Sequence, residues 1–215
     1  MNYQNQNAAK VAEFLLQINA VKLQPVNPFK WAAGWNSPIY CDNRKILGHP
    51  KIRNFIKDEF IKMINQLDTK PTSIAGVATG GIAIGALIAE SLNLPFCYVR
   101  SSAKAHGLNN KIEGDLNTSQ SVFVIEDLIS SGKSSLDAVS ALRNFGVNVI
   151  GLGAIFTYGF DHAEQNFNNA KCKFKTLTNY ESLLKMAVNK QYIKKSDLNT
   201  LNQWRKSPSN WNPHA

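Results

Sequence analysis

Two adjacent acids, Glu126 and Asp127, close the hydrophobic run Val122 to Ile125, and a small-residue loop, Ser130, Ser131 and Gly132, follows within a few positions and runs into Lys133 and Ser134. Carboxylates buried without partners are costly, so a pair at the end of an apolar run should face a ligand that offers hydroxyls or cations. The small-residue stretch supplies the opposite chemistry. Backbone N–H groups at the start of a helix, with serine hydroxyls and no bulky side chains, form a site for a phosphate. Together the two parts suit a phosphorylated sugar, whose hydroxyls donate to the carboxylates while the amides hold its phosphate. Gly132-Lys133-Ser134 mimics the end of a nucleoside-triphosphate loop, but that motif needs a glycine where Asp127 stands. An ordinary capped helix after a core strand is the plainer alternative. It requires neither the two acids nor so long a run of small residues, and a binding role is favoured.

A second segment is Thr79-Gly80-Gly81, directly after the run Ser73 to Ala78. Paired glycines let the backbone approach a ligand closely. The spacing is not that of a dinucleotide-binding loop, and alone the pair would also make a simple turn. A third segment starts at Arg100, contains Lys104 and His106, and continues to Glu113-Gly114. It is a polar connection of about 20 residues, longer than an ordinary turn and typical of a flexible functional loop. A solvated surface loop would account for Lys104 alone; three cationic residues at this spacing favour function.

These segments need a frame that brings them together. Ile52, Phe55, Ile56, Phe60, Ile61, Ile64 and Leu67 recur at helical spacing and predict an amphipathic helix ending near Asp68. Four nearly continuous apolar runs, Ser73 to Ala78, Phe96 to Val99, Ser121 to Ile125 and Val147 to Phe156, read as strands covered on both faces. Helical composition fills Ile82 to Leu92 and Ser134 to Phe145 between them. This alternation predicts an α/β fold with a doubly wound, mainly parallel sheet, in one domain spanning residues 1–215. Such sheets bind ligands outside the carboxyl ends of their strands, where the three segments fall.

Composition narrows the setting. No stretch reaches the roughly 18 consecutive apolar residues of a membrane span, and the N-terminus lacks the pattern of a secretory signal, so a soluble cytoplasmic protein is expected. Cys41, Cys97 and Cys172 show no CxxC spacing, and neither a disulfide framework nor a zinc site is indicated. The formal net charge is +9, but nine basic and only two acidic residues lie from Lys171 onward. That tail also holds Tyr180, Tyr192, Trp204 and Trp211. Its basic residues are spread over amphipathic segments and fit a solvated helix face better than a nucleic-acid groove.

The stretch from Val122 to Ser135 resembles the signature of type I phosphoribosyltransferases, and the order of the other segments resembles the orotate phosphoribosyltransferases among them. The resemblance runs over about residues 10–165 in family order. It implies a small N-terminal hood region and a flexible active-site loop added to the doubly wound sheet. It implies that Glu126 and Asp127 contact the ribose hydroxyls of phosphoribosyl diphosphate, that Ser130 to Ser134 hold its 5-phosphate, and that Thr79, Gly80 and Gly81 form the diphosphate loop. Arg100, Lys104 and His106 match the loop that closes over a neighbouring subunit's site, so a homodimer is implied. Some relatives carry lysines at the places of Gly80 and Ser101, and a glycine or small residue at that of Lys133. Phe29 to Arg44 resembles the stretch bordering the base pocket, where Lys30 and Arg44 would supply positive charge for the carboxylate of orotate. Phe160 falls where the family closes over the base, and His162 is the nearest match to an arginine found there. For the Phe160 ring, stacking on the base and packing in the core both stay open. The resemblance further implies Mg²⁺ carried by phosphoribosyl diphosphate, with no protein side chains dedicated to the metal. Two rivals share the fold: a purine phosphoribosyltransferase, and a regulator that senses phosphoribosyl diphosphate and binds RNA.

Overall fold

The computed structural model describes residues 3–31, 34–102 and 111–212. The chain divides into two compact units, one formed by residues 1–46 with 178–215 and the other by residues 47–177.

The first unit joins the two ends of the chain. Helix α1 (Tyr3–Gln17) is followed by two short antiparallel pairs, β1 (Val21–Leu23) with β4 (Ile39–Cys41) and, inside that loop, β2 (Phe29–Lys30) with β3 (Asn36–Ser37). From the far end of the chain come α6 (Tyr180–Asn189), which packs on α1, and α7 (Leu198–Lys206). Val11, Leu15, Leu183 and Leu201 are buried, as are Tyr180 and Trp204. The Tyr180 hydroxyl donates to the Leu201 carbonyl at 3.1 Å, and Trp31 meets Trp204 edge-on at 5.6 Å. Two of the four tail aromatics named from the sequence are therefore core residues. A tail whose aromatic rings are used this way has less to offer stacked bases, which agrees with the solvated-face reading of its charges.

The second unit carries the doubly wound sheet. After α2 (Pro50–Asn65) come β5 (Ser73–Val77), α3 (Gly80–Leu92), β6 (Phe96–Val99), β7 (Ile112–Glu113), β8 (Ser121–Ile129), α4 (Lys133–Phe145), β9 (Asn148–Thr157), α5 (Asp161–Asn169) and β10 (Phe174–Asn179). The six strands lie in the order β10-β9-β8-β5-β6-β7. β5 pairs in parallel with both β6 and β8, β8 pairs in parallel with β9, and β7 returns antiparallel on β6. Every residue of β5 is buried, and Val122 to Ile125 of β8 are at most 2 % exposed, as strands sandwiched between helix layers require.

The direction of winding decides where a ligand can sit. From β5 the chain moves outward to β6 on one side, and from β8 outward to β9 on the other. The carboxyl ends of β5 and β8 therefore border the point where winding reverses, the crevice in which such sheets bind ligands. Thr79 to Gly81 and Ser130 to Ser134 follow those two strands.

Two boundaries differ from the sequence reading in ways that matter. β8 does not stop at Ile125: Glu126, Leu128 and Ile129 stay in register with Ala154, Phe156 and Thr157 of β9. The acids thus project from a paired strand rather than a loop. The helices after β5 and β8 begin at Gly80 and Lys133, earlier than their apolar periodicity signals, so the glycine pair itself forms the first turn of α3.

Candidate active site

A cavity of about 280 Å³ at the β5/β8 crevice is lined by Ala78, Thr79 and Gly80 from one side and by Glu126 to Leu128 and Ser130 to Ser135 from the other. Thr79 and Gly80 of the diphosphate-loop candidates thus share one cavity with the sugar-phosphate candidates, while Gly81 is not part of its lining. Their closeness is enforced by missing side chains. A Cβ on Gly80 would fall on the carboxyl group of Asp127, and a Cβ on Gly81 would collide with the carbonyl oxygen of Ile125. A lysine at position 80, as in some relatives of the family named above, has no room here with Asp127 in this position.

Glu126 is 5 % exposed, and each oxygen of its carboxyl group accepts one hydrogen bond from its own neighbourhood. Oε1 accepts from the Asp127 backbone N–H at 2.9 Å, and Oε2 accepts from the hydroxyl of Ser135 at 3.0 Å. Burial above all, then the adjacent Asp127 carboxyl, pushes the pKa of Glu126 up to about 9. A carboxyl group so placed costs free energy to ionise, and a ligand that brings hydroxyl donors would relieve that cost.

The phosphate loop is shaped by Gly132. It is the N-cap of α4 with φ +79°, a left-handed conformation, and the Lys133 N–H at the helix start donates to the Ser131 hydroxyl at 3.4 Å. The Leu136 N–H donates to the Gly132 carbonyl at 2.9 Å, which starts the helix. Ser130, Ser131 and the first turn of α4 thus line one end of the cavity, at the positive end of the α4 dipole. The loop is braced from outside by α5: the Asn166 amide donates to the Ser131 carbonyl at 3.1 Å, and a Cβ on Gly132 would come within 2.7 Å of the Phe167 ring. Gly132→Ala therefore meets two obstacles, the left-handed backbone and that ring. We predict that it lowers stability by about 2 kcal/mol or more and weakens inorganic phosphate binding at least tenfold, checked by thermal melting and calorimetry.

Asn166, Phe167 and Ser135 were not singled out from the sequence. Ser135 reads there as an ordinary first-turn helix residue, and α5 lies some 35 positions from the loop it supports, with no local signal linking them.

The third segment is described only at its base. β6 and β7 pair Tyr98 with Glu113 and Val99 with Ile112, and the Arg100 N–H donates to the Lys111 carbonyl at 2.8 Å. The Arg100 guanidinium lies 3.3 Å from the Glu113 carboxylate. Lys104 and His106 lie outside the described residues.

The base-pocket candidates divide. Lys30 on β2 and Arg44 belong to the first unit, where both are exposed and Arg44 donates to Asp42 at 2.6 Å. That guanidinium holds the Asp42 carboxyl below its ordinary range. Phe160, in the second unit, is 3 % exposed and stacks with Tyr158 at 5.4 Å and His162 at 5.3 Å. Of the two roles open to this ring, its burial and aromatic neighbours favour core packing.

Among the described residues no three His, Cys, Asp or Glu side chains gather as a metal-binding group, and no helix is long and apolar enough to cross a membrane.

The model of the phosphoribosyl transferase domain family matches residues 43–189. The orotate phosphoribosyltransferase of Bacteroides thetaiotaomicron is 56 % identical over 200 residues, covering 93 % of this chain and 94 % of the relative. That of Porphyromonas gingivalis is 52 % identical over 201 residues, covering 94 % and 96 %. Among solved structures, the orotate phosphoribosyltransferase of Aeropyrum pernix superposes with a TM-score of 0.73 at 24 % identity, covering 86 % of this chain and 99 % of that one. At that identity the superposition speaks for the fold, while the sequence matches speak for the family.

Proposed function

Because this chain belongs to the phosphoribosyltransferase family, and within it to the orotate phosphoribosyltransferases, we propose that it transfers ribose 5-phosphate from 5-phosphoribosyl-1-diphosphate to orotate. The products are orotidine 5′-monophosphate and diphosphate, in the de novo synthesis of pyrimidine nucleotides. One observation carries the reading at the level of chemistry: a single cavity sets two carboxyl groups against a helix N-terminus ringed by serines, with a glycine turn as its other wall. Whole-chain similarity to named relatives carries the choice of orotate. Those relatives align over nearly the entire chain, which favours treating residues 1–215 as one phosphoribosyltransferase domain.

In the proposed assignment Ser130 to Ser134 and the α4 amides hold the 5-phosphate. Glu126 and Asp127 accept from the ribose 2- and 3-hydroxyls, and the backbone of Thr79 to Gly81 faces the diphosphate. Departure of diphosphate from C1 leaves an oxocarbenium-like ribose, so the protein's task is to stabilise charge on the leaving group and hold the base in line. Arg100, Lys104 and His106 provide that charge, and no covalent nucleophile is needed. Lys30 and Arg44 are assigned to the orotate carboxylate, and the Arg44–Asp42 pair would have to exchange for that contact. The two carboxyl groups and the serine hydroxyls in the cavity suit a hard cation that arrives on substrate oxygens and keeps its water. Mg²⁺ bound in that way would supply positive charge to the diphosphate. The proposal includes a cytoplasmic location and a homodimer in which the loop bearing Lys104 serves the neighbouring subunit's site.

The test is a substrate comparison with Mg²⁺ and phosphoribosyl diphosphate present. Orotate should be consumed, and hypoxanthine and adenine should react at least about 100-fold more slowly. Preferential turnover of either purine would overturn the assignment.

A further inference from the structure

Ser135 lies just beyond the small-residue stretch, and no role in binding or catalysis has been assigned to it above. It is 2 % exposed, in the first turn of α4, and its hydroxyl donates to Oε2 of Glu126, itself 5 % exposed, at 3.0 Å. This side-chain hydrogen bond joins Glu126 of β8 to the helix whose N-terminus forms the phosphate site. The other oxygen of Glu126 takes the Asp127 N–H at 2.9 Å, so two donors fix the plane of the carboxyl group. A glutamate has three rotatable side-chain bonds, and a carboxyl group must be held to a fraction of an ångström to accept from a sugar hydroxyl productively.

We propose that Ser135 is a positioning residue: by pinning the Glu126 carboxyl group to the first turn of α4, it sets the distance between the site for the ribose hydroxyls and the site for the 5-phosphate. Ser135 borders the same cavity, and in this role its hydroxyl acts through Glu126 rather than on the reacting atoms. The ligand class that senses it is a phosphorylated pentose, which must satisfy both sites at once; a bare phosphate fills only one. The inference rests on the assignment of Glu126 to the ribose hydroxyls made above.

The experiment compares three probes by calorimetry on the full-length chain: inorganic phosphate, ribose 5-phosphate, and phosphoribosyl diphosphate with Mg²⁺. In Ser135→Ala, affinity for ribose 5-phosphate should fall about tenfold, the equivalent of about 1.4 kcal/mol, while affinity for inorganic phosphate stays within about twofold of the parent. In steady state the same variant should raise KM for phosphoribosyl diphosphate about tenfold, with kcat and KM for orotate changed less than about threefold. Ser135→Thr, which keeps the hydroxyl, should recover ribose 5-phosphate affinity to within about threefold of the parent. In a Glu126→Gln background, Ser135→Ala should cost less than about twofold, since the carboxylate it orients is gone.

Equal losses for inorganic phosphate and ribose 5-phosphate would overturn the proposal, because they would mean that Ser135 merely supports the loop. So would an unchanged ribose 5-phosphate affinity in Ser135→Ala, or a full tenfold loss that persists in the Glu126→Gln background. If instead the parent protein binds inorganic phosphate but neither ribose 5-phosphate nor phosphoribosyl diphosphate, the assignment of Glu126 to the ribose is what fails, and the role of Ser135 falls with it.

Discussion

Replacing Lys104 with alanine should lower kcat by about 100-fold or more while leaving the fold intact. Charge develops on the diphosphate as its bond to C1 breaks, and a cation aimed at that charge acts in the transition state more than in the ground state. Loss of such a group should therefore appear in kcat as well as in kcat/KM. A steady-state orotate assay checks this, and near-parental turnover would remove Lys104 from the mechanism. A mixing experiment tests whether the loop acts across the proposed dimer. Lys104→Ala and Asp127→Asn, each inactive alone, should together regain about a quarter of parental activity after subunit exchange, because half the dimers are mixed and each has one intact site. No recovery would mean that the loop serves its own subunit.

Glu126→Gln should weaken function and strengthen the fold. Glu126 has a folded-state pKa of about 9 against an ordinary 4.5, so its protonated form is the one the fold prefers. The stability this group contributes is fully present below about pH 4.5 and is lost progressively as pH rises through about 9. Glutamine keeps the size of the carboxyl group and cannot ionise, so the variant escapes that loss. It should melt on the order of 5 °C above the parent at pH 8, with the gap closing toward pH 5. Its transferase activity should fall about 100-fold, because an amide is a poorer acceptor for the ribose hydroxyls and cannot take on the negative charge that the donors of a bound sugar would let the carboxyl group adopt. Melting curves at the two pH values and one activity assay suffice; a variant less stable at pH 8 than at pH 5 relative to the parent contradicts the argument. Stability sacrificed at a binding site in this way is the usual sign of a residue kept for its ligand.

Much of this site was legible because its physics is local. Ser73 to Ala78, Phe96 to Val99 and Val147 to Phe156 are apolar without alternation, and each coincides with a strand of the mainly parallel sheet to within a residue. The acids and the small-residue turn were recognisable because neither belongs in an ordinary core. What escaped depends on contacts between distant segments. Acidic residues discourage strand, yet β8 runs on to Ile129 because β9 pairs with it there. β10 and α6 were hidden in a basic tail, where Tyr180 and Trp204 could not be told from exposed aromatics until α1 and Trp31 stood beside them. Gly132 was read as a small residue near a phosphate; that its left-handed backbone is backed by Phe167 needed the packing of α5. Ser135 looked like part of a helix because its partner, nine positions earlier, comes near only when β8 and α4 are both in place. Phe160 is buried, which a Tyr-Gly-Phe sequence does not reveal.

The most direct measurement is a calorimetric titration of the intact protein with phosphoribosyl diphosphate and Mg²⁺. The account predicts saturable binding of one molecule per chain, weakened at least tenfold by Gly132→Ala. Absence of any binding heat at several temperatures, with the protein folded, would contradict the claim that the β8–α4 turn holds a phosphorylated sugar.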